Sequence, residues 1–241
     1  MIGGFIITGN SDKPVIVRGL GPSLSAAGLS DTLADPLLDL RGSNGALIST
    51  NDNWKDSQRS LIEGTLFQPS DDRESVIVAN LQPGAYTAAL TGRNQTTGIG
   101  LLEVYDTDDT SQAQLANIST RGFVRTGNNV MIGGFILGGS SGATRVAVLG
   151  IGPSLSQFGL SNVLADPVLE LHNADGTILV SNDNWMDDPA SAAELIANGL
   201  APGNGLESGI FRSLPSGAFT AILAGKNGGI GLGVVEIYNL K

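Results

Sequence analysis

The most constraining feature of this chain is an internal repeat that covers most of its 241 residues. The segment "MIGGFI" at 1–6 recurs at 131–136, and "GPSLS" at 21–25 recurs at 152–156. Self-similarity at one long spacing is typical of duplicated domains. The sequence therefore predicts two tandem copies of one fold. The same order continues through "LADP" (33–36 and 164–167), Trp54 and Trp185, Glu74 and Glu207, Glu103 and Glu236, and Tyr105 and Tyr238.

The two copies are predicted to span 1–106 and 114–241, with an acidic, polar linker at 107–113. The alternating stretch "AQLANISTRGFVRTGNNV" (113–130) predicts a strand and a turn that lead into the second "MIGGF". The first copy has no such stretch before Met1, so we expect it to lack its first strand. Two explanations stay open. The terminus is loosely defined, or an open sheet edge is filled by a strand from a neighbouring subunit.

Short β-branched or alternating runs, such as "KPVIVRGL" and "SVIVANL", are separated by turn residues. "SNG" (43–45) and "ADG" (174–176) predict hairpin turns. The stretch 187–199 predicts a helix, with Asp188 as its N-cap and Pro189 in its first turn. The sequence thus predicts an all-β chain of two tandem antiparallel β-sandwich domains, jelly-roll-like, each with one short helix.

Composition narrows the classes of partner. The formal net charge is −10, which argues against nucleic acid because phosphate binding needs clustered Lys and Arg. No apolar run approaches the ~20 residues of a membrane span. Cysteine is absent, which excludes disulfides and thiolate chemistry. The start "MIGGFIITG" has neither the basic region nor the cleavage site of a signal peptide, so any such peptide lies outside this sequence.

A longer pattern occupies 33–105 and 164–238. In the second copy it reads "LADPVLELHNADGTILVSNDNW", followed by "LESGIFRSLPSGAFTAILAGKNGGIGLGVVEIY". This order resembles that of bacterial pre-peptidase C-terminal (PPC) β-sandwich domains. The resemblance implies a non-catalytic accessory module of secreted or cell-surface proteins. Some modules of that family bind calcium, and others bind proteins or polysaccharides.

The loops "TNDNWKDS" (50–57) and "SNDNWMDD" (181–188), here called the NDNW loops, concentrate side-chain oxygens. Calcium prefers about six to eight such ligands. The alternative is that these side chains only form turns and cap the following helix. The predicted calcium ligands are Asp52, Asn53, Asp56 and Glu74 in the first copy and Asp183, Asn184, Asp187 and Glu207 in the second, with Asn51, Asn182, Asp35 and Asp166 as further candidates.

Other motifs have simpler explanations. Trp54 and Trp185 could stack on sugars, but a core position beneath the loops is the expected one. "RGLGPSL" (18–24) and "LGIGPSL" (149–155) do not continue into a phosphate-loop motif, so they predict strand-to-turn bends. The only histidine, His172, has Arg41 as its counterpart, and no nucleophile motif accompanies it. We therefore expect no enzymatic activity.

Together these features predict a non-catalytic extracellular or cell-surface binding or adhesion module, stiffened by Ca²⁺. One alternative is a carbohydrate-binding module that uses Trp54 and Trp185. The other is a structural subunit that assembles by strand complementation at the open edge of the first copy. The expected partner is a protein, a polysaccharide or another copy of the chain.

Overall fold

A computed structural model describes residues 1–108, 110–138 and 142–240. These residues form antiparallel sheets with few short helices, which confirms the predicted all-β class. The chain divides into two compact units, Met1–Ala116 and Asn117–Lys241. The predicted linker at 107–113 lies within the first unit. No helix in the described residues is long and apolar enough to cross a membrane.

Two sheets make up the first unit. One has the strand order β1-β6-β3-β4 and the other the order β5-β2-β7. A four-residue helix, α1 (Arg59–Ile62), lies between β4 and β5. The strands are β1 (Ile2–Thr8), β2 (Lys13–Leu20), β3 (Pro36–Gly42), β4 (Leu47–Asn51), β5 (Ser75–Leu81), β6 (Gly84–Gly92) and β7 (Leu101–Asp106).

The second unit repeats both sheets, with the orders β9-β14-β11-β12 and β13-β10-β15-β8. Its one addition is β8, which pairs with β15, the counterpart of β7. Among the described residues, β2 is the only strand beside β7. The elements are β8 (Gln114–Val124), β9 (Met131–Leu137), β10 (Thr144–Ile151), β11 (Pro167–Asn173), β12 (Ile178–Asn182), α2 (Pro189–Ala197), β13 (Ser208–Leu214), β14 (Gly217–Gly225) and β15 (Gly231–Leu240).

The core of the second unit lies between its two sheets. Val146 and Val148 of β10 face Leu169 and Leu171 of β11 in one cluster of buried side chains. Every second residue of each strand points inward, as the alternation of side chains along a strand requires. Burial of apolar area at about 25 cal/mol per Å² stabilises this arrangement. The result is the β-sandwich that the alternating runs predicted.

Local signals placed the helix and the hairpins correctly. The Asp188 carboxylate accepts hydrogen bonds from the N–H groups of Ala190 (3.1 Å) and Ser191 (3.3 Å), so α2 begins at the predicted N-cap. Gly45 and Gly176 adopt φ of 78° and 85° in the β3–β4 and β11–β12 turns. Only glycine takes this left-handed conformation without strain. In the first unit, α1 has no capping side chain and is only four residues long.

Candidate functional site

The first asparagine of each NDNW loop fixes the loop to the neighbouring sheet. Asn51 is 4% exposed. Its side-chain oxygen accepts the Val76 N–H at 2.8 Å, and its amide nitrogen donates to the Asn53 carbonyl at 3.0 Å. Its oxygen is therefore engaged within the protein rather than directed toward a metal. The equivalent bonds of the second loop are made by Asn182 with Gly209 and Asn184.

The tryptophans of the loops are core residues. Trp54 is 1% exposed and Trp185 is 9% exposed. Their backbone N–H groups donate to the carbonyls of Glu74 (2.8 Å) and Glu207 (2.7 Å), which join each loop to the following strand. A sugar stacks only on an exposed ring face. The structure therefore contradicts the use of these two residues as sugar-binding platforms and confirms the expected core position.

Glu74 is fully buried and faces the bend after β2, not the NDNW loop. Its Oε1 accepts hydrogen bonds from the N–H groups of Gly21 (3.0 Å) and Ser23 (3.0 Å) and from the Ser23 hydroxyl (2.5 Å). Successive backbone N–H groups make a small anion-binding concavity. Here the chain's own carboxylate fills it. Oε1 of Glu74 is thus a structural acceptor, whereas its Oε2 is buried without a partner among the described residues, so the calcium role of Glu74 stays a prediction.

Glu207 accepts the equivalent set of hydrogen bonds in the second unit. Its Oε1 accepts from Gly152 N–H (3.2 Å), Ser154 N–H (3.0 Å) and the Ser154 hydroxyl (2.5 Å). Its Oε2 accepts the Asn204 N–H at 3.0 Å. Both carboxylate oxygens of Glu207 are therefore engaged by donors of its own unit, which corrects its predicted role as a metal ligand to a structural one. The glycine-rich segments are strand-to-turn bends, as expected. Glycine is needed at the second bend because a Cβ on Gly152 would lie 2.2 Å from the Leu164 carbonyl oxygen.

The aspartate that precedes the second asparagine of each NDNW loop pairs with a basic side chain of its own unit. In the first unit, Asp52 pairs with Arg93. In the second, Asp183 lies 2.5 Å from Lys226, whose ammonium also lies 3.7 Å from Asp166. These hydrogen bonds and charges raise the pKa of Lys226 above its usual range, with Asp183 as the largest contributor. The structure therefore places a built-in cation beside the predicted calcium ligands.

The remaining predicted ligands form local turns. The Asn53 amide donates to the Asp56 carboxylate at 3.0 Å, and Asn184 donates to Asp187 at 3.1 Å. In the described part of the chain, no three acidic or histidine side chains come together as a metal-binding group. The helix cap is Asp188, one residue after the predicted ligand Asp187.

Some loop oxygens are nevertheless unsatisfied. One carboxylate oxygen, Oδ1, of Asp52, Asp166 and Asp183 is buried and has no hydrogen-bond partner among the described residues. Calcium binding at the NDNW loops therefore stays a prediction, and it competes with Arg93 and Lys226 for the same carboxylates.

We expect Lys226→Gln to make the second unit calcium-dependent, because the substitution leaves Asp166 and Asp183 without a neutralising charge. Thermal melts in EDTA and across a calcium titration would then differ for the variant and coincide for the wild-type chain. A ligand at a hundredfold excess over Kd adds about 2.7 kcal/mol of stability. A saturable calcium shift in the wild-type chain, lost in Asp183→Asn, would instead establish the original calcium prediction.

The only histidine is part of a hairpin. His172 hydrogen-bonds the Gly176 carbonyl (3.0 Å) and the Glu170 carboxylate (2.9 Å). The bond to Gly176 raises the pKa of His172 against the opposing effect of burial, and Glu170 adds to the rise. Its counterpart Arg41 bonds the equivalent hairpin positions in the first unit. The histidine thus serves the same structural purpose as an arginine.

The sequence predicted no role for Glu103 and Glu236, which occupy equivalent positions in the two copies. Glu103 of β7 pairs with Arg18, with 2.6 Å between Nη2 and Oε2. In the second copy Leu149 stands where the first has Arg18, so Glu236 of β15 has no such partner. Burial raises the pKa of Glu236, and the nearby Glu207 adds to the rise although the Tyr238 hydroxyl opposes it. The replacement of Arg18 by Leu149 between the copies was the sequence signal that could have revealed this difference between the two glutamates.

The two units differ most at the edge of β7. On β15, which pairs with β8, the inward-facing Val235 and Ile237 are 0% and 7% exposed. Their counterparts on β7, Leu102 and Val104, remain only half-buried. Among the described residues, β7 is therefore an edge strand with half-buried inward side chains.

The outer face of the same strands shows the same difference. Leu101 is 40% exposed, whereas its counterpart Val234 is 9% exposed.

The direction of the backbone groups of β7 follows from its pairing with β2. The N–H of Thr107 donates to the Pro14 carbonyl at 3.3 Å. Because hydrogen-bonded pairs alternate along antiparallel strands, the backbone groups of residues 102 and 104 point away from β2, toward the open edge.

Comparison with known proteins adds little to this geometry. No protein-family model and no curated protein matches the chain, so the resemblance to PPC domains stays a prediction. The STIV MCP aligns over 98% of this chain and 90% of its own, at 14% identity and a TM-score of 0.27. The VP2 subviral particle of infectious bursal disease virus aligns over 98% of this chain and 58% of its own, at 11% identity and a TM-score of 0.20. Similarity this low carries no argument about function.

Proposed function

We propose that this chain is a non-catalytic structural module of an extracellular or cell-surface assembly, and that it assembles by accepting a strand at β7. The observation that supports the proposal is the half-burial of Leu102 and Val104. In the second unit, where β8 pairs with β15, the equivalent Val235 and Ile237 are buried. The resemblance to accessory domains of secreted proteins supports the extracellular setting.

Strand addition would satisfy both needs of this edge. The backbone N–H and C=O groups of Leu102 and Val104 would gain partners, each worth about 0.5–1.5 kcal/mol net. The two side chains would lose their remaining exposure to water, at about 25 cal/mol per Å². Extended segments bind other proteins in this way, with affinity from the main chain and specificity from alternate side chains.

The edge of β7 also lacks the usual protection. Natural edge strands are guarded by inward-pointing charges, by proline or by bulges. The inward residues of β7 are the apolar Leu102 and Val104. Glu103 between them points to the opposite face, where it pairs with Arg18. An apolar edge of this kind favours association over isolation.

The proposal is tested by Val104→Pro, which removes a backbone N–H that points away from β2. Proline is tolerated on edge strands, so the fold should persist. We expect the wild-type chain to form larger species in sedimentation velocity as its concentration rises from micromolar to millimolar, and Val104→Pro to remain monomeric.

Val104→Ala is the matched control, because it trims the same side chain and keeps the N–H. It should still associate. A strictly monomeric wild-type chain at millimolar concentration would contradict assembly between copies, and association that Val104→Pro leaves intact would place it at another surface.

A further inference from the structure

We infer that the strand accepted by β7 has the sequence pattern of β8, is supplied by another repeat of this kind, and runs antiparallel to β7 in the register that β8 keeps with β15. The inference rests on the acceptor role proposed above for β7. It names the partner and the position of each partner residue.

The register comes from the second unit. There, Ile118 lies opposite Ile237 and Thr120 lies opposite Val235, within an antiparallel pairing that spans eight residues of β8. The repeat relates Val235 to Leu102 and Ile237 to Val104. An added strand would therefore place its residue equivalent to Thr120 opposite Leu102.

β8 brings apolar groups that the first unit lacks. Val124 is 0% exposed in the core of the second unit, and Ile118 packs against the same cluster. Gly122 lies beneath the side chain of Met131, whose Cε would be 3.3 Å from a Cβ at that position. Met131 is 8% exposed, whereas its counterpart Met1 is 45% exposed. Leu102 and Val104, the counterparts of Val235 and Ile237, are only half-buried in the first unit.

The opposite edge of the same sheet is closed by side chains. The Val78 N–H donates to the Gln58 side-chain oxygen at 3.0 Å, and the Gln58 amide donates back to the Val78 carbonyl at 2.7 Å. The Val76 N–H is bonded to Asn51. Side-chain amides of Gln58 and Asn51 thus make the backbone hydrogen bonds that an added strand would make at the edge of β5. This leaves β7 as the acceptor edge of this sheet.

The absence of cysteine from the chain allows a direct test of register. The full-length Leu101→Cys variant is incubated in a glutathione buffer with a synthetic peptide of residues 113–125 that carries Arg121→Cys. In the inferred register these two cysteines form a non-hydrogen-bonded pair about 4.5 Å apart at Cα, within the range that a disulfide spans. A peptide with Ser119→Cys places its thiol two residues away.

We expect the Arg121→Cys peptide to cross-link about tenfold faster than the Ser119→Cys peptide, whose thiol lies beyond disulfide geometry. Val234→Cys is the matched control, because β8 already covers that site, and it should react slowly with both peptides. Equal rates for the two peptides, or equal rates at Leu101→Cys and Val234→Cys, would overturn the inference.

Backbone methylation gives a second readout on the unmodified chain. In the inferred register the N–H of Thr120 faces β7 and that of Ser119 faces away. The unmodified peptide should slow hydrogen exchange at Leu102 and Val104, and methylation at Thr120 should abolish this protection while methylation at Ser119 preserves it. Self-association that survives while no peptide docks would overturn this partner alone. In-register docking on a strictly monomeric chain would instead contradict assembly between copies.

Discussion

Glu74→Gln is expected to lower the free energy of unfolding of the first unit by about 2–3 kcal/mol, the range for losing hydrogen bonds to a buried charged group. The Glu74 carboxylate is the shared acceptor for two backbone N–H groups and one hydroxyl at the bend after β2. An amide oxygen accepts more weakly, and the new NH₂ group occupies the position of Oε2, which has no partner among the described residues.

Tryptophan fluorescence during denaturant unfolding can measure this loss, because each unit contains one tryptophan. A Trp185→Phe background leaves Trp54, which is bonded to Glu74 through the backbone, as the reporter of the first unit. Ser23→Ala is the matched control, since it removes one hydroxyl donor and keeps both N–H donors. It should cost about 1 kcal/mol. A Glu74→Gln midpoint equal to that of the parent Trp185→Phe chain would show that the hydrogen bonds to Glu74 do not stabilise the bend.

The parts of the fold that could be predicted from the sequence depend on local signals. The cap at Asp188 and the glycine turns at Gly45 and Gly176 are fixed by neighbours within a few residues. The strand at 114–124 was visible as alternation ahead of the second "MIGGF". Each of these signals acts within one element, so the pattern of residues is enough to find it.

The roles of the acidic residues could not be predicted in the same way. Glu74 bonds Gly21, which is 53 positions away, and Lys226 bonds Asp183 across 43 positions. Only the folded chain brings such partners together. The Asx-rich loops therefore did not reveal that Arg93 and Lys226 meet the carboxylates of Asp52 and Asp183, and calcium binding at these loops stays a prediction.

Comparison between the copies carried more information than either copy alone. The repeat relates Arg18 to Leu149, and the loss of that charge explains why Glu103 is paired while Glu236 is buried with a raised pKa. The same comparison shows that β7 is less buried than β15, since Val235 is fully buried whereas its counterpart Leu102 is half-buried. In a duplicated chain, each copy thus shows how the other would pack with a different residue at the equivalent position.

The difference between the two glutamates predicts opposite effects for one substitution. Glu236→Gln should raise the free energy of unfolding of the second unit at pH 7 by about 1–2 kcal/mol, because it removes a buried carboxylate whose desolvation the Tyr238 hydroxyl offsets only in part. The Tyr238 hydroxyl keeps an acceptor in the glutamine oxygen. Glu103→Gln should instead destabilise the first unit by about 1–3 kcal/mol, because it leaves Arg18 without its partner.

The pH dependence separates this cause from a general packing effect. The pKa of Glu236 is raised in the folded state above its ordinary value of 4.5. Its contribution to stability is therefore fully present below pH 4.5 and is lost as the pH rises through the raised pKa. The gain from Glu236→Gln should accordingly appear at neutral pH and vanish below pH 4.5, as followed by Trp185 fluorescence in a Trp54→Phe background. A gain of equal size at both pH values would mean that glutamine packs better at this position, and the buried charge would then not be the cause.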